Sequence, residues 1–260
     1  MVSSAPDQPA LVERTLRQER TIILGAIALL TGLAWLWTLT GAGMPIDTGG
    51  MAGMSRSAAP PVLLTLTMWW VMMVAMMLPS ATPAILLYGR VRRDRGDTAI
   101  IASSGVFLSG YLLAWLGMSG LAAALQIWAT RAGWLDGPTM RPAHASLAGA
   151  TLIAAGLYQL LPVKNACLTN CRSPAAFLSR YWRQGTLGAL RLGLLHGSYC
   201  VGCCWLLMAL LFVGGVMNFA WIAALTALVT AEKLLPSGGD VVSKGAGVVL
   251  IGWGFARTLI

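Results

Sequence analysis

The apolar residues of this chain fall in long, nearly unbroken runs, with neither the strict alternation of a half-buried strand nor the narrow apolar stripe of a soluble amphipathic helix. A helix needs roughly 20 such residues to cross a hydrocarbon core about 30 Å thick. The runs predict spans near residues 21–40, 61–88, 100–128, 145–161, 187–213, 216–235 and 241–259, the last weakened by Lys244 and by Gly245, Gly247, Gly252 and Gly254. Seven spans are expected, with six as the fallback. Breakers separate them: Gly41, Gly43 and Pro45, then Gly89 and Gly96, then Gly133 and Pro142, then Pro162 and Pro174, then Gly214 and Gly215. The pattern therefore predicts an all-α fold, a polytopic transmembrane helical bundle. Residues 1–20 form a polar cytoplasmic amino-terminal segment, and residues 21–260 a single transmembrane domain without a fixed-period repeat.

Composition strengthens this reading. Of 260 residues, 57% are hydrophobic and 10% charged, against about 25% charged in soluble globular chains; the mean hydropathy is +0.72. A net charge of +9 would point to nucleic acid in a soluble protein. Here the basic residues sit between apolar runs, where they orient helices in a bilayer, so nucleic-acid binding is excluded and the lipid bilayer is the expected partner. Of the 18 Lys and Arg, only Arg56, Arg131, Arg141 and Arg257 fall on the minority side. That bias places the amino terminus in the cytoplasm and, with seven spans, the carboxyl terminus outside.

The candidate chemistry lies in three clusters of soft donors. In the second span, Met72, Met73, Met76 and Met77 fall within six consecutive positions; Met72 with Met76, and Met73 with Met77, share a helix face. Methionine also fills irregular core space, but paired thioethers are uncharged soft donors suited to Cu(I). Pro79 and Pro83 follow and should free backbone groups that neighbouring helices must satisfy. In the expected cytoplasmic connection, Cys167 and Cys171 stand one helical turn apart between Lys164 and Arg172, cations that would favour the thiolate. In the fifth span, His196, Cys200, Cys204 and Met208 recur every fourth residue with Cys203 beside them. Five cysteines in two tight groups do not form the spread framework of a disulfide-stapled domain.

The expected depths of the methionines and of Cys200 to Cys204 agree, both in the inner half of the bilayer. Glu232 and Lys233 close the sixth span on that side, as a functional pair or a helix-end ion pair. On the other side, Met44, Met51 and Met54 with Asp47 offer a flexible capture surface for a soft ion.

Three strings carry a resemblance: Trp69…Met72…Ala75-Met76-Met77…Pro79, Lys164…Cys167-Leu168…Cys171-Arg172…Pro174 and Cys200…Gly202-Cys203-Cys204-Trp205…Met208. They resemble an uncharacterised bacterial family of predicted metal-binding integral membrane proteins, a domain of unknown function. The similarity runs from the second span through Asn218 and Glu232-Lys233. It implies metal binding in the bacterial inner membrane. It also implies Met72, Met76, Met77, Cys167, Cys171, Cys200, Cys203, Cys204 and Met208 as site positions, with Asn218 and Glu232 as companions.

Ligand chemistry favours a soft ion, Cu(I), bound for transfer, transport or homeostasis, because thiolate and thioether select it and intramembrane carboxylates are scarce. Zn(II) is the alternative metal, although its tetrahedral sites use Cys and His and would leave the methionines idle. A membrane thiol–disulfide oxidoreductase is the rival function, relaying electrons from Cys167 and Cys171 to the Cys200–Cys204 group. A third reading is an accessory subunit with a structural metal site, docked by a soluble partner on the basic loops. The chain has no Gly-x-x-x-x-Gly-Lys loop and no His-Glu-x-x-His helix for phosphoryl transfer or metalloprotease chemistry.

Overall fold

In the computed structural model the described residues are 8–40, 62–135, 140–235 and 238–259, with side chains described from residue 18 onward. The methionine-rich loop with Asp47 lies outside them. Among the described residues the chain is helical without strands: α1 (Gln8–Leu39), α2 (Val62–Asp94), α3 (Ile100–Arg131), α4 (Ala145–Leu160), α5 (Pro162–Arg172), α6 (Pro174–Tyr181), α7 (Gly185–Gly214), α8 (Phe219–Leu234) and α9 (Gly239–Leu259). Each apolar run coincides with a helix, and the connection between the fourth and fifth runs adds two more, α5 and α6.

The expected number of spans is corrected. Among the described residues, four helices are long and apolar enough to cross a membrane: α1 from Gln18, α2, α3 and α7; a fifth crossing results if the bent pair α4–α5 counts as one. At 16 residues, α8 is only about 24 Å long at 1.5 Å per residue, short of a core of about 30 Å. In α9, Asp240, Lys244 and Arg257 interrupt the apolar surface.

Local sequence explains the breaks. Leu161 is held extended (φ −74°, ψ 141°) before Pro162, which opens α5 at its first turn. The residue before proline disfavours helix while proline itself suits a helix start, so α4 and α5 meet at a 65° bend. Pro174 opens α6 in the same way. After Gly215, at φ 91°, Asn218 caps α8 by accepting a hydrogen bond from the Trp221 amide at 3.2 Å.

Glycine sets the closest helix approaches. On α7, Gly193 and Gly197 lie four apart against α3; a Cβ at Gly193 would strike the Phe107 carbonyl, and one at Gly110 of α3 would strike the α7 backbone at Leu190. The antiparallel pair α4 and α9 closes likewise, Gly149 on Gly254 and Gly156 on Gly247. Of the four glycines expected to weaken the last helix, Gly247 and Gly254 thus form its packing face, while Gly245 and Gly252 face open space; small residues let membrane helices approach backbone to backbone. The expected release of backbone groups by proline is also visible. Pro79 cannot donate to the Ala75 carbonyl, which accepts the Trp35 indole N–H at 3.1 Å instead.

A buried polar cluster ties α8 to α4 and α5. Lys164 Nζ stands 2.7 Å from Glu232 Oε2, both side chains almost fully buried. Gln159 Nε2 donates to the other Glu232 oxygen at 2.6 Å, and Lys164 also reaches Gln159 Oε1. At the end of α5, Arg172 donates to the Glu232 carbonyl at 2.7 Å and pairs with Asp240 of α9.

Two outcomes follow for thermal unfolding in detergent. Gly193→Ala should destabilise by about 1–3 kcal/mol through overpacking, whereas Gly105→Ala, where a Cβ meets open space, should be neutral or stabilise by up to about 1 kcal/mol; equal shifts would contradict the close approach. Glu232→Ala should cost about 3–5 kcal/mol because Lys164 is left buried and unpaired, while Lys164→Met combined with Glu232→Leu should recover most of that loss.

Candidate metal centre

The every-fourth-residue stripe of α7 faces inward: His196, Cys200, Cys204 and Met208 are buried, and so is Cys203. The thiols of Cys203 and Cys204 both fold back onto the Cys200 carbonyl, at 3.1 and 3.0 Å, a local bond that short polar side chains commonly make within a helix. This gathers the α7 sulfurs at one turn. The Cys200 sulfur itself lies 3.1 Å from the Tyr111 hydroxyl of α3. Tyr111 also donates to the Met77 carbonyl at 3.1 Å, which places the end of the methionine stripe beside the cysteines. Met77 Sδ then lies 4.0 Å from Cys204 Sγ.

From α5, Cys171 neighbours Cys200 and Cys203. Cys167 packs its sulfur over Gly202, where a Cβ would stand 3.0 Å from it, so the glycine admits the α5 thiol to the α7 backbone. None of the five cysteines is in a disulfide; Cys167 and Cys171 are partly exposed and the other three buried. The cations flanking the α5 pair do not serve it, because Lys164 is taken by Glu232 and Arg172 by Asp240 and the Glu232 carbonyl.

Lys233, absent from the expected ligand set, completes the centre. Its ammonium lies 3.0 Å from Cys200 Sγ, 3.3 Å from Ser80 Oγ and 3.7 Å from Met77 Sδ. An ammonium has three donors, and each has an acceptor here. Glu232 and Lys233 do not pair with each other. Consecutive residues of an α-helix point about 100° apart, so Glu232 faces α4 and α5 while Lys233 faces the sulfurs. That geometry was the available sequence signal for Lys233, an ionisable group on an apolar helix with a neighbour it cannot reach.

The contacts described for the remaining candidates are of other kinds. Met72, Met73, Met76 and Met208 are buried in the one apolar core that also contains Met77, Cys200, Cys203 and Cys204. With Met68 and Met77, the α2 methionines make a buried stripe about 14 Å long at 1.5 Å per residue. His196 is enclosed by the rings of Phe107, Tyr111 and Phe177, centroids 6.1, 6.0 and 5.1 Å away. Asn218 is the cap of α8. Glu232 belongs to the polar cluster with Lys164 and Gln159.

Among the described residues, no three His, Cys, Asp or Glu side chains form a ready-made metal cage. What converges is a mixed set of thiols and one thioether around an amine. Such donors suit a soft monovalent ion, and neighbouring thiols also suit disulfide exchange.

Comparison with curated proteins gives no match, nor does comparison with solved structures. The sequence model of a copper chaperone family, PpoB2, matches residues 66–257. That stretch contains every cysteine, the α2 methionines and Lys233, in line with the metal-related family that the motifs resemble. The chain belongs to the PpoB2 copper chaperone family.

Proposed function

We propose that this protein is a membrane-embedded carrier of Cu(I), holding its cargo with Cys200, Cys203, Cys204 and Met77 and exchanging it through Cys171 and Cys167. The approach of Met77 Sδ to Cys204 Sγ at 4.0 Å carries this reading: it joins thioether and thiol donors from segments 127 positions apart in the chain. Zn(II) sites are built from thiolate, imidazole and carboxylate, so a thioether at the junction favours Cu(I). The gradient of burial supports a direction of exchange. The partly exposed α5 thiols meet an external donor or acceptor first, and the buried α7 thiols retain the ion. Each transfer is a substitution of one sulfur for the next, with no change in the oxidation state of copper.

The bias of Lys and Arg between connections supports a cytoplasmic amino terminus in a bacterial inner membrane. In that orientation the α5–α6 face is cytoplasmic, where a soluble partner would collect or deliver the ion. The second reading, a thiol–disulfide relay, draws on the closeness of Cys171 to Cys200 and Cys203.

Metal loading separates the two. Purified wild type should take up Cu(I) in preference to Zn(II), and Cys200→Ser or Cys204→Ser should weaken Cu(I) binding by at least about tenfold, or about 1.4 kcal/mol. Zn(II) uptake without Cu(I) uptake refutes the carrier. A Cys171 mixed disulfide trapped from native membranes, with metal content indifferent to the cysteine changes, would establish the relay. Cys171→Ser should leave Cu(I) affinity nearly unchanged but slow delivery to an external chelator, as followed by stopped-flow absorbance.

A further inference from the structure

The structure gives the candidate centre an amine that none of the ligand motifs anticipates. Lys233 is buried, has no carboxylate partner among the described residues, and spends its three donors on Cys200 Sγ, Met77 Sδ and Ser80 Oγ. The nearest acid in sequence, Glu232, is already committed to Lys164 and Gln159. A buried charge without a counter-charge is expensive, so the compensation for this ammonium comes from sulfur. Two of its three acceptors are the donors that a soft cation would use.

We propose that Lys233 is a tethered surrogate cation, which occupies the place of Cu(I) in the unloaded protein and withdraws when the ion binds. This rests on the carrier reading above and adds how the site opens and empties. The exchange balances. In this exchange Cys200 is the thiolate partner of the ammonium, so a Cu–S bond to Cys200 forms as the N–H···S hydrogen bond from Lys233 breaks and no proton leaves sulfur; one unit of positive charge enters as another leaves, and no electron is transferred. A monovalent ion therefore leaves the buried charge unchanged, whereas a divalent ion adds to it, so the device discriminates for Cu(I) by charge as well as by softness. The way out is by Ser80, a partly exposed residue that already holds the ammonium at 3.3 Å, and the four-carbon stem of lysine is flexible enough to move it. Because it is attached to α8, Lys233 competes with the ion at a high effective concentration. It therefore lowers affinity and speeds release, which is what a site that must give up its cargo requires.

Two measurements on the full-length protein in nanodiscs test this. In the first, an amine-reactive label is applied to wild type with and without Cu(I), and modification at Lys233 is read by mass spectrometry. Lys233 should be protected in the unloaded protein and become labelled on loading; protection that persists after loading overturns the proposal. In the second, Lys233→Gln should bind Cu(I) about ten- to hundredfold more tightly in a chelator competition, the size of effect that groups around a metal's ligands produce, and should release it more slowly. Equal or weaker affinity in a folded variant overturns the proposal, and if the variant does not fold the labelling alone decides. Wild type that binds no Cu(I) refutes the carrier reading and this one with it, while Cu(I) binding with an unmoved Lys233 refutes only the surrogate.

Discussion

A lysine ammonium held among sulfur atoms is the interaction on which the rest of this structure turns. Burying such a group is tolerable only when every donor is satisfied and its charge is answered nearby, and that demand fixes the neighbours of Lys233 from two helices at once. Cys200 must come from α7, and Met77 and Ser80 from α2. The 100° between successive helix positions then turns Glu232 away from the sulfurs, into the cluster with Lys164 and Gln159. The two polar sites are thus two faces of one helix end. Anchoring α8 through Glu232 sets the rotation at which Lys233 meets Cys200.

The same junction depends on close packing elsewhere. Tyr111 bridges Met77 and Cys200 only because α3 lies against α7 at backbone distance, and that distance is permitted by Gly110, Gly193 and Gly197. In a bilayer, apolar side chains gain little by leaving lipid for protein, so small residues and hydrogen bonds do more of the work of helix association than they do in water. Glycine on α7 therefore acts on the metal centre at a distance. It brings the tyrosine within reach of a sulfur that lies almost two turns further along the helix.

Much of this was legible in the sequence, and the failures have identifiable causes. Hydropathy is a local property, so each apolar run located a helix and the α7 stripe was correctly placed indoors. The number of crossings was overcounted because apolarity alone does not distinguish a spanning helix from a 16-residue one buried against its neighbours. Pro162 and Pro174 were read as breakers, but a proline that ends one helix is well suited to begin the next, which is how α5 and α6 arise. The glycines of α9 were read as weakness, because a contact with Gly149 and Gly156 cannot be seen without the partner helix. Lys233 was assigned to its sequence neighbour. For the methionines the sequence had no means of choosing, since burial and ligation make the same demand for an apolar position; it is the tertiary placement of Met77 that puts it beside a thiol.

The arrangement also bears on why a copper carrier would be built from a loose set of donors. A closed tetrahedral cage holds a metal well and releases it reluctantly, which suits a structural site. A chaperone must deliver, so each bound state has to be only slightly better than the next. Here the donors differ in depth and not in kind: half-exposed thiols on the short helix α5 stand next to buried thiols on the long helix α7. In a carrier of the proposed kind, chemically similar ligands would keep the steps of transfer close in energy, while the difference in burial would keep the ion from escaping before an acceptor reaches α5. On the proposed carrier reading, the exchange pair sits on a short helix set off by Pro162 and Pro174 and the retaining set on a 30-residue helix packed on α3, which divides exchange and retention between two elements of the fold.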